Sequence, residues 1–90
     1  RMIAAKVLIC HGADDPMVKD EEVAAFHDEM RAAKVDYVFV AFGGAVHAFT
    51  NPEAGARGSA SDGMKGVLYN EAADKRSWEV TKAFLAEAFR

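Results

Sequence analysis

Two acidic residues and one histidine are the side chains of this sequence whose types and spacing best suit catalysis. Asp14 and Asp15 stand in the stretch HGADDPMV, and His47 follows further along the chain. A carboxylate that accepts the Nδ1 proton of an imidazole fixes the ring tautomer and leaves Nε2 free to act as a general base. The residues therefore raise the hypothesis of an acid–base pair formed by Asp15 and His47.

Two short apolar runs are predicted to be the strands that position this pair. Lys6 to Cys10 is partly β-branched and ends at a Gly-Asp-Pro turn, and residues 36–42, DYVFVAF, end at two glycines. Both runs are typical of strands buried on both faces of a parallel sheet. Asp15 then lies in the loop after the first strand and His47 in the loop after the second.

Helical patterns are found in two parts of the chain. From Asp20, a plausible N-cap, apolar residues recur at three- and four-residue spacing with acids and bases between them, which predicts an amphipathic helix. A second helix is predicted from about Asn70. The apolar stripes consist of Val23, Phe26, Met30 and Ala33 in the first helix, and of Trp78, Thr81, Leu85, Ala88 and Phe89, with Phe84 beside them, in the second.

The order of elements is strand, helix, strand, a long loop over residues 48–68, and a final helix. It predicts an α/β fold built on a βαβ unit with parallel strands. Because functional groups in parallel sheets collect past the carboxyl ends of the strands, we expect Asp15 and His47 to lie side by side. One crossover helix cannot cover both faces of two apolar strands, so we also expect exposed apolar surface. Either a missing N-terminal portion or a second copy of this chain would cover it.

Two other interpretations of the polar residues remain open at this stage. Asp is common in such turns because its side chain bonds to its own backbone, and a histidine beside Ala and Phe is often structural. A metal site made of His11, Asp14, Asp15 and His47 is chemically conceivable, but no tight ligand spacing supports it, so we predict no metal and no cofactor. We expect His11 to serve packing or loop hydrogen bonding and His27 to be solvated.

Composition narrows the class of protein. The 90 residues carry a net charge of −3 with no basic block, which argues against nucleic acid as a partner. No apolar run approaches the roughly 20 residues of a membrane span. The single cysteine, Cys10, cannot form an internal disulfide, so a reducing cytoplasm is the expected location. Because the chain begins at Arg1, we expect a piece of a longer protein or a processed one.

Three segments together resemble the C-terminal part of the dienelactone hydrolase family of α/β hydrolases. They are LICHGADDPMV, FHDEMRAAKVDYVFVAFGGAVHAFTNPEA and YNEAADKRSWEVTKAFLAEAF, which carry the motifs His-Gly-x-x-Asp and Gly-x-x-His-x-Phe. The resemblance implies a partial α/β-hydrolase fold, with residues 1–90 as a single partial domain. It also implies that Asp15 and His47 are the acid and the base of a nucleophile–acid–base triad acting on a small-molecule ester or lactone.

Two features of the family pattern are missing. The sequence has no Gly-x-Ser-x-Gly elbow or cysteine equivalent, which the family places upstream of the region present here. Cys10 has Leu8 where the elbow needs glycine. Ser59 and Ser61 fail the spacing and belong to the long loop, and Ser77 lies on the predicted last helix. The family's dienelactone-specific members have Arg four positions after the histidine, where this chain has Asn51. The substrate is therefore predicted only as an ester or lactone.

Two classes of function follow. The chain is either the part of a hydrolase that supplies the acid and the base, or a non-catalytic relative whose exposed apolar surface drives self-association or binding to another protein. The first interpretation rests on the paired motifs, and the second on the missing elbow and the small core.

Overall fold

The structure is a computed structural model that describes residues 4–90. Four elements follow one another: strand β1 (Lys6–Gly12), helix α1 (Asp20–Ala32), strand β2 (Asp36–Phe42) and helix α2 (Glu71–Ala88). Residues 43–70 form turns, in which His47 and Val67 pair as an isolated bridge. This order confirms the predicted α/β arrangement. Within residues 4–90, no helix combines the length and apolar character that a bilayer crossing requires.

The two strands form a parallel sheet, as predicted. Lys6 lies opposite Asp36, and Gly12 lies opposite Phe42. β2 has its predicted bounds, whereas β1 extends two residues beyond the predicted end at Cys10. Because the two strands are paired over their whole length, both end at the same edge of the sheet. The loops that carry Asp15 and His47 leave from that edge.

Helix α1 begins one residue earlier than its sequence signal indicated. Lys19, not Asp20, is the N-cap, so the prediction for Asp20 was wrong. The Glu22 carboxylate accepts the backbone N–H of Lys19 at 3.1 Å and thereby satisfies a donor at this end of the helix. Asp20 instead lies in the first turn, where a negative charge suits the helix dipole.

Helix α1 covers one face of the sheet through aromatic contacts. The Phe26 and Phe39 rings lie 6.1 Å apart, and the His27 and Phe39 rings lie 4.7 Å apart. His27 Nδ1 is also 2.8 Å from the Tyr37 hydroxyl. The prediction that His27 is solvated was therefore wrong. The helix turns this residue toward the aromatic side chains of β2, and the periodicity of α1 alone does not show that contact.

The core lies on the other face, where the loop after β2 and helix α2 meet the sheet. Ala45, Phe49 and Ala73 are buried together, and Cys10 and Phe42 pack against them. Cys10 is therefore a partly buried packing residue at the edge of this core. Helix α2 starts where expected, because the Asn70 side chain accepts the backbone N–H of Ala73 at 3.0 Å.

Much apolar surface remains exposed. The strands are mostly half-buried rather than buried on both faces, and Val38 is 43% exposed. Trp78 and Leu85 on α2 are exposed, and the C-cap residue Phe89 is exposed to 84%. These exposures correct the predicted burial of the strands and confirm the expectation that this chain leaves hydrophobic surface in water.

Candidate active site

Asp15 is held rigidly in the turn that follows β1. Its backbone N–H donates to the Gly12 carbonyl at 3.1 Å, and its Oδ1 accepts the N–H of Met17 at 2.8 Å. The second contact is an Asx turn, the role that the structural interpretation assigns to an aspartate here. It occupies one carboxylate oxygen and leaves Oδ2 available.

His47 is positioned by a second part of the chain. Its N–H donates to the Gly66 carbonyl at 3.0 Å, and its carbonyl accepts the N–H of Leu68 at 3.3 Å. Ala48, the next residue, has a φ of 59°, a left-handed conformation that is uncommon for alanine. The segment that carries the imidazole is therefore fixed on both sides by the far end of the long loop.

The two side chains meet in the way that the sequence suggested. His47 Nδ1 lies 3.1 Å from Asp15 Oδ2, across 32 positions of sequence. The Asp15 side chain is 9% exposed, whereas that of His47 is 47% exposed. An ionised carboxylate only accepts hydrogen bonds, so this contact favours the tautomer with the proton on Nδ1. The lone pair of Nε2 is then available to take a proton.

Asp14 has a different task from its neighbour. Its Oδ2 accepts the N–H of Gly44 at 2.7 Å, and its own N–H donates to the Ala45 carbonyl at 3.0 Å. The N–H of Ala13 donates to Phe42 in the same region. Asp14 therefore ties the loop after β1 to the loop after β2, and so supports the contact between Asp15 and His47 without taking part in it.

Two close approaches hold these loops together. A Cβ on Gly12 would lie 2.7 Å from the Val46 carbonyl oxygen and 2.9 Å from that of Ala45, so the approach requires glycine. Pro16 packs against Gly66, whose carbonyl accepts the N–H of His47. Sequence reasoning missed both contacts, since nothing local to either glycine shows which part of the chain it faces.

The other polar candidates are not brought to the pair in a catalytic arrangement. The His11 ring lies 5.5 Å from Phe39 on the α1 side, in agreement with its expected packing role. Ser77 is buried and donates to the Asp74 carbonyl. Ser61 Oγ accepts the N–H of Gly55 at 2.8 Å. Among residues 4–90, no group of three or more His, Cys, Asp and Glu side chains is placed to hold a metal ion.

Cavities lie on two sides of the pair. One of about 530 Å³ runs between the end of β1 and helix α2 and reaches Asp15 and Trp78. Another of about 410 Å³ opens at His47 and is bordered by Met17 and Met64. No sequence signal pointed to the two methionines, because their contact with the site arises only when the long loop folds back.

This combination of a parallel α/β sheet with a carboxylate and an imidazole past its strand ends is the arrangement found in α/β hydrolases. The chain belongs to the dienelactone hydrolase family, whose model matches residues 1–89. An uncharacterised protein of Caenorhabditis elegans, K02A2.1, is 46% identical over 83 residues, which are 92% of this chain and 49% of the relative.

Solved structures agree in fold. The chain matches the crystal structure of P91, a dienelactone hydrolase-like promiscuous phosphotriesterase from metagenomic libraries, with a TM-score of 0.84 and 43% identity. It matches the structure named m3DLH with a TM-score of 0.78 and 38% identity. These matches cover 96% and 92% of this chain, but 34% and 32% of the two structures. The chain thus spans about half the length of the worm protein and a third of each structure.

Proposed function

We propose that this chain supplies the acid and the base of a catalytic triad that hydrolyses a small-molecule ester or lactone. His47 is the base, and Asp15 orients and stabilises its imidazole. The observation that supports the proposal most strongly is the 3.1 Å contact between His47 Nδ1 and Asp15 Oδ2, made by a largely buried carboxylate and a half-exposed imidazole. A solvated face on the imidazole leaves room for a nucleophile and a substrate.

The proposed chemistry is acyl transfer to water through a covalent intermediate. Nε2 of His47 takes the proton of a serine or cysteine nucleophile as that atom attacks the acyl carbon. The imidazolium, stabilised by Asp15, then gives the proton to the leaving alkoxide. In the second half, Nε2 takes a proton from water, the hydroxide attacks the acyl-enzyme, and the proton returns to the nucleophile as the acid product leaves.

The nucleophile is proposed to come from outside residues 1–90, since these residues contain no Gly-x-Ser-x-Gly or Gly-x-Cys-x-Gly elbow. In this proposal the chain is one partial domain of a larger hydrolase. The greater lengths of the matched relatives support the idea, because each has chain beyond the part that this sequence matches. The additional part would also supply the oxyanion hole.

A complementation experiment tests the proposal. Residues 1–90 replace the matched third of P91, and hydrolysis of p-nitrophenyl acetate is followed at saturating substrate. We expect turnover by the chimera and a fall of about 10³-fold or more in the His47→Ala variant, because triad members act as a unit. Paraoxon, a phosphotriester, serves as a second substrate, since P91 is described as a promiscuous phosphotriesterase.

The two adjacent aspartates provide a matched control in the same chimera. Asp15→Asn keeps an oxygen for the Met17 N–H but presents an NH₂ group to Nδ1, which favours the wrong tautomer, so kcat falls by about 10²–10⁴-fold. Asp14→Asn keeps an acceptor for the Gly44 N–H, and we expect activity within about threefold of the parent. Equal losses in the two variants would contradict the assignment of Asp15, and an active His47→Ala chimera would contradict that of His47.

The isolated 90-residue chain is expected to give no turnover above its His47→Ala variant, because it carries no elbow nucleophile. A rate that depends on His47 and exceeds that of free imidazole at the same concentration would show that residues 1–90 are sufficient for turnover. Comparison of the two proteins at equal concentration, with the same p-nitrophenyl ester, measures this directly.

A second candidate function is a non-catalytic module that associates through its apolar surface. The observation that favours it is the exposure of Trp78 and Leu85 on α2 and of the C-cap Phe89, together with that of Val38 on the sheet. In this alternative a second copy of the chain covers the surface. Multi-angle light scattering at micromolar concentration distinguishes the cases, since a monodisperse monomer argues against self-association. A dimer that Phe89→Ser and Leu85→Ser together convert to monomer supports it.

A further inference from the structure

We propose that the cavity beside His47 selects neutral, apolar substrate groups and discriminates against substrates that carry a carboxylate. The inference rests on the proposed function, because it assigns the side of the substrate that lies next to the base. It goes further by naming the substrate class and the residues that decide it, which are Met17, Met64 and Glu53.

The shape and lining of the cavity suit a compact apolar group. Its volume of about 410 Å³ falls within the range of small-ligand pockets, and it opens directly at His47. Met17 and Met64 border it with half-exposed side chains, and the buried Val67 also lines it. Methionine is flexible and polarisable, so two such residues can adapt to an acyl or alkoxy group of varied shape.

Several polar atoms at this cavity are already engaged within the loop. Asn51 Oδ1 accepts the N–H of Glu53 at 3.0 Å. Ser61 Oγ accepts the N–H of Gly55, and Ser59 Oγ donates to the Ala56 carbonyl at 2.7 Å. These bonds hold the turns of residues 51–61. The polar groups that form them are therefore less available to hydrogen-bond a ligand.

The charged residues at the cavity wall disfavour a negatively charged substrate group. Glu53 is the acidic residue at the cavity wall, and the described residues that line this cavity include no Lys or Arg. A substrate carboxylate placed here would lose water against methionine side chains, find no Lys or Arg to pair with, and lie near the acidic residue Glu53. A neutral ester group loses little on the same transfer. Selection by charge therefore follows from the lining itself.

A binding experiment on the 90-residue chain tests the inference without need of a nucleophile. The probes are methyl phenylacetate and phenylacetate, which differ in the methyl group and the charge. The chain carries [¹³C-methyl]methionine, and titrations are followed by NMR at low ionic strength. Met30 lies buried on α1 and does not line the cavity, so its methyl signal is the internal reference.

We expect the ester to shift the Met17 and Met64 signals but not that of Met30, and to bind at least about tenfold more tightly than phenylacetate. Glu53→Gln should strengthen phenylacetate binding by about threefold and leave the ester within twofold. Glu87→Gln, which removes the same charge from the exposed side of α2, should change neither.

Three results would overturn the inference: phenylacetate binding as tightly as the ester, ester titration that leaves Met17 and Met64 unmoved, or Glu53→Gln behaving like Glu87→Gln. Each outcome is independent of turnover. The predicted selectivity can therefore be refuted while the P91 chimera still hydrolyses esters through His47. If the chimera is inactive, the binding experiment still tests the selectivity.

Discussion

Replacing Gly12 by alanine should separate the two loops that bring Asp15 to His47. The new Cβ would lie 2.7 Å from the Val46 carbonyl oxygen and 2.9 Å from that of Ala45, and both obstacles are backbone atoms. Neither can rotate away as a side chain would. The loops must therefore move apart, and the bonds between them, including that from Asp14 N–H to the Ala45 carbonyl, must lengthen.

Two opposing contributions determine how much Gly12→Ala changes the free energy of unfolding. Overpacking of this kind costs about 1–3 kcal/mol. The lower entropy of an unfolded chain with Ala in place of Gly returns about 0.4–1 kcal/mol. Gly12→Ala should therefore lower the free energy of unfolding by about 1.3 kcal/mol at the middle of these ranges and by about 2.6 kcal/mol at most. For a domain of this size, each kcal/mol lowers Tm by roughly 4–8 °C.

Gly43→Ala is the matched control. Gly43 lies just past the end of β2, its φ is not positive, and a Cβ there would meet nothing within 4 Å. It keeps the entropic gain without the clash, so it should raise stability by about 0.4–1 kcal/mol. Urea unfolding followed by far-UV circular dichroism measures both variants. If Gly12→Ala proves as stable as Gly43→Ala, the close approach is not the constraint that holds the loops together.

Two other predictions concern the long loop and the start of α2. The hydrogen bond that the Tyr69 hydroxyl donates to Asp74 at 2.8 Å raises the pKa of the phenol above its ordinary value of 10.0. Its contribution to stability is therefore full below pH 10 and is lost as the pH rises through the raised pKa. Tyr69→Phe should remove that part of the alkaline dependence in urea titrations, and identical curves for the two proteins would contradict it. Gly66→Ala should destabilise the chain by at least about 1 kcal/mol more than Gly63→Ala, as measured by urea unfolding. Both glycines have a φ of 76°, but a Cβ on Gly66 meets Pro16 while one on Gly63 meets nothing within 4 Å, so equal losses would show that Pro16 yields freely.

The elements that positioned the site could be read from local patterns. β2 has the bounds that its β-branched and aromatic residues predicted, and Asn70 begins the last helix as expected. The meeting of Asp15 and His47 also followed from topology, because parallel strands place their following loops at one edge. What was predictable is therefore the part that depends on sequence neighbours and on sheet geometry.

The parts that could not be predicted depend on contacts distant in sequence. His27 was expected in solvent, but its ring hydrogen-bonds to Tyr37. The periodicity of a helix shows which residues share a face, but it does not show which residues of other elements contact them. The residues around Phe49 in the sequence indicate a loop, yet its side chain is buried in the core with Ala45. Strands that looked buried on both faces are half-exposed, because burial depends on chain that covers them and not on their own composition.

The pair of aspartates shows why structural and chemical interpretations of a motif need not compete. A carboxylate has two oxygens that can each accept a hydrogen bond. In Asp15, Oδ1 accepts the N–H of Met17 in the turn, and Oδ2 contacts Nδ1 of His47. The turn bond fixes the side chain, which lowers the entropy that the second bond would otherwise cost. Asp14 meanwhile joins the two loops through Gly44. An aspartate chosen for its turn is thereby already oriented for an imidazole, and the nucleophile is the one member of the proposed triad that this arrangement does not supply.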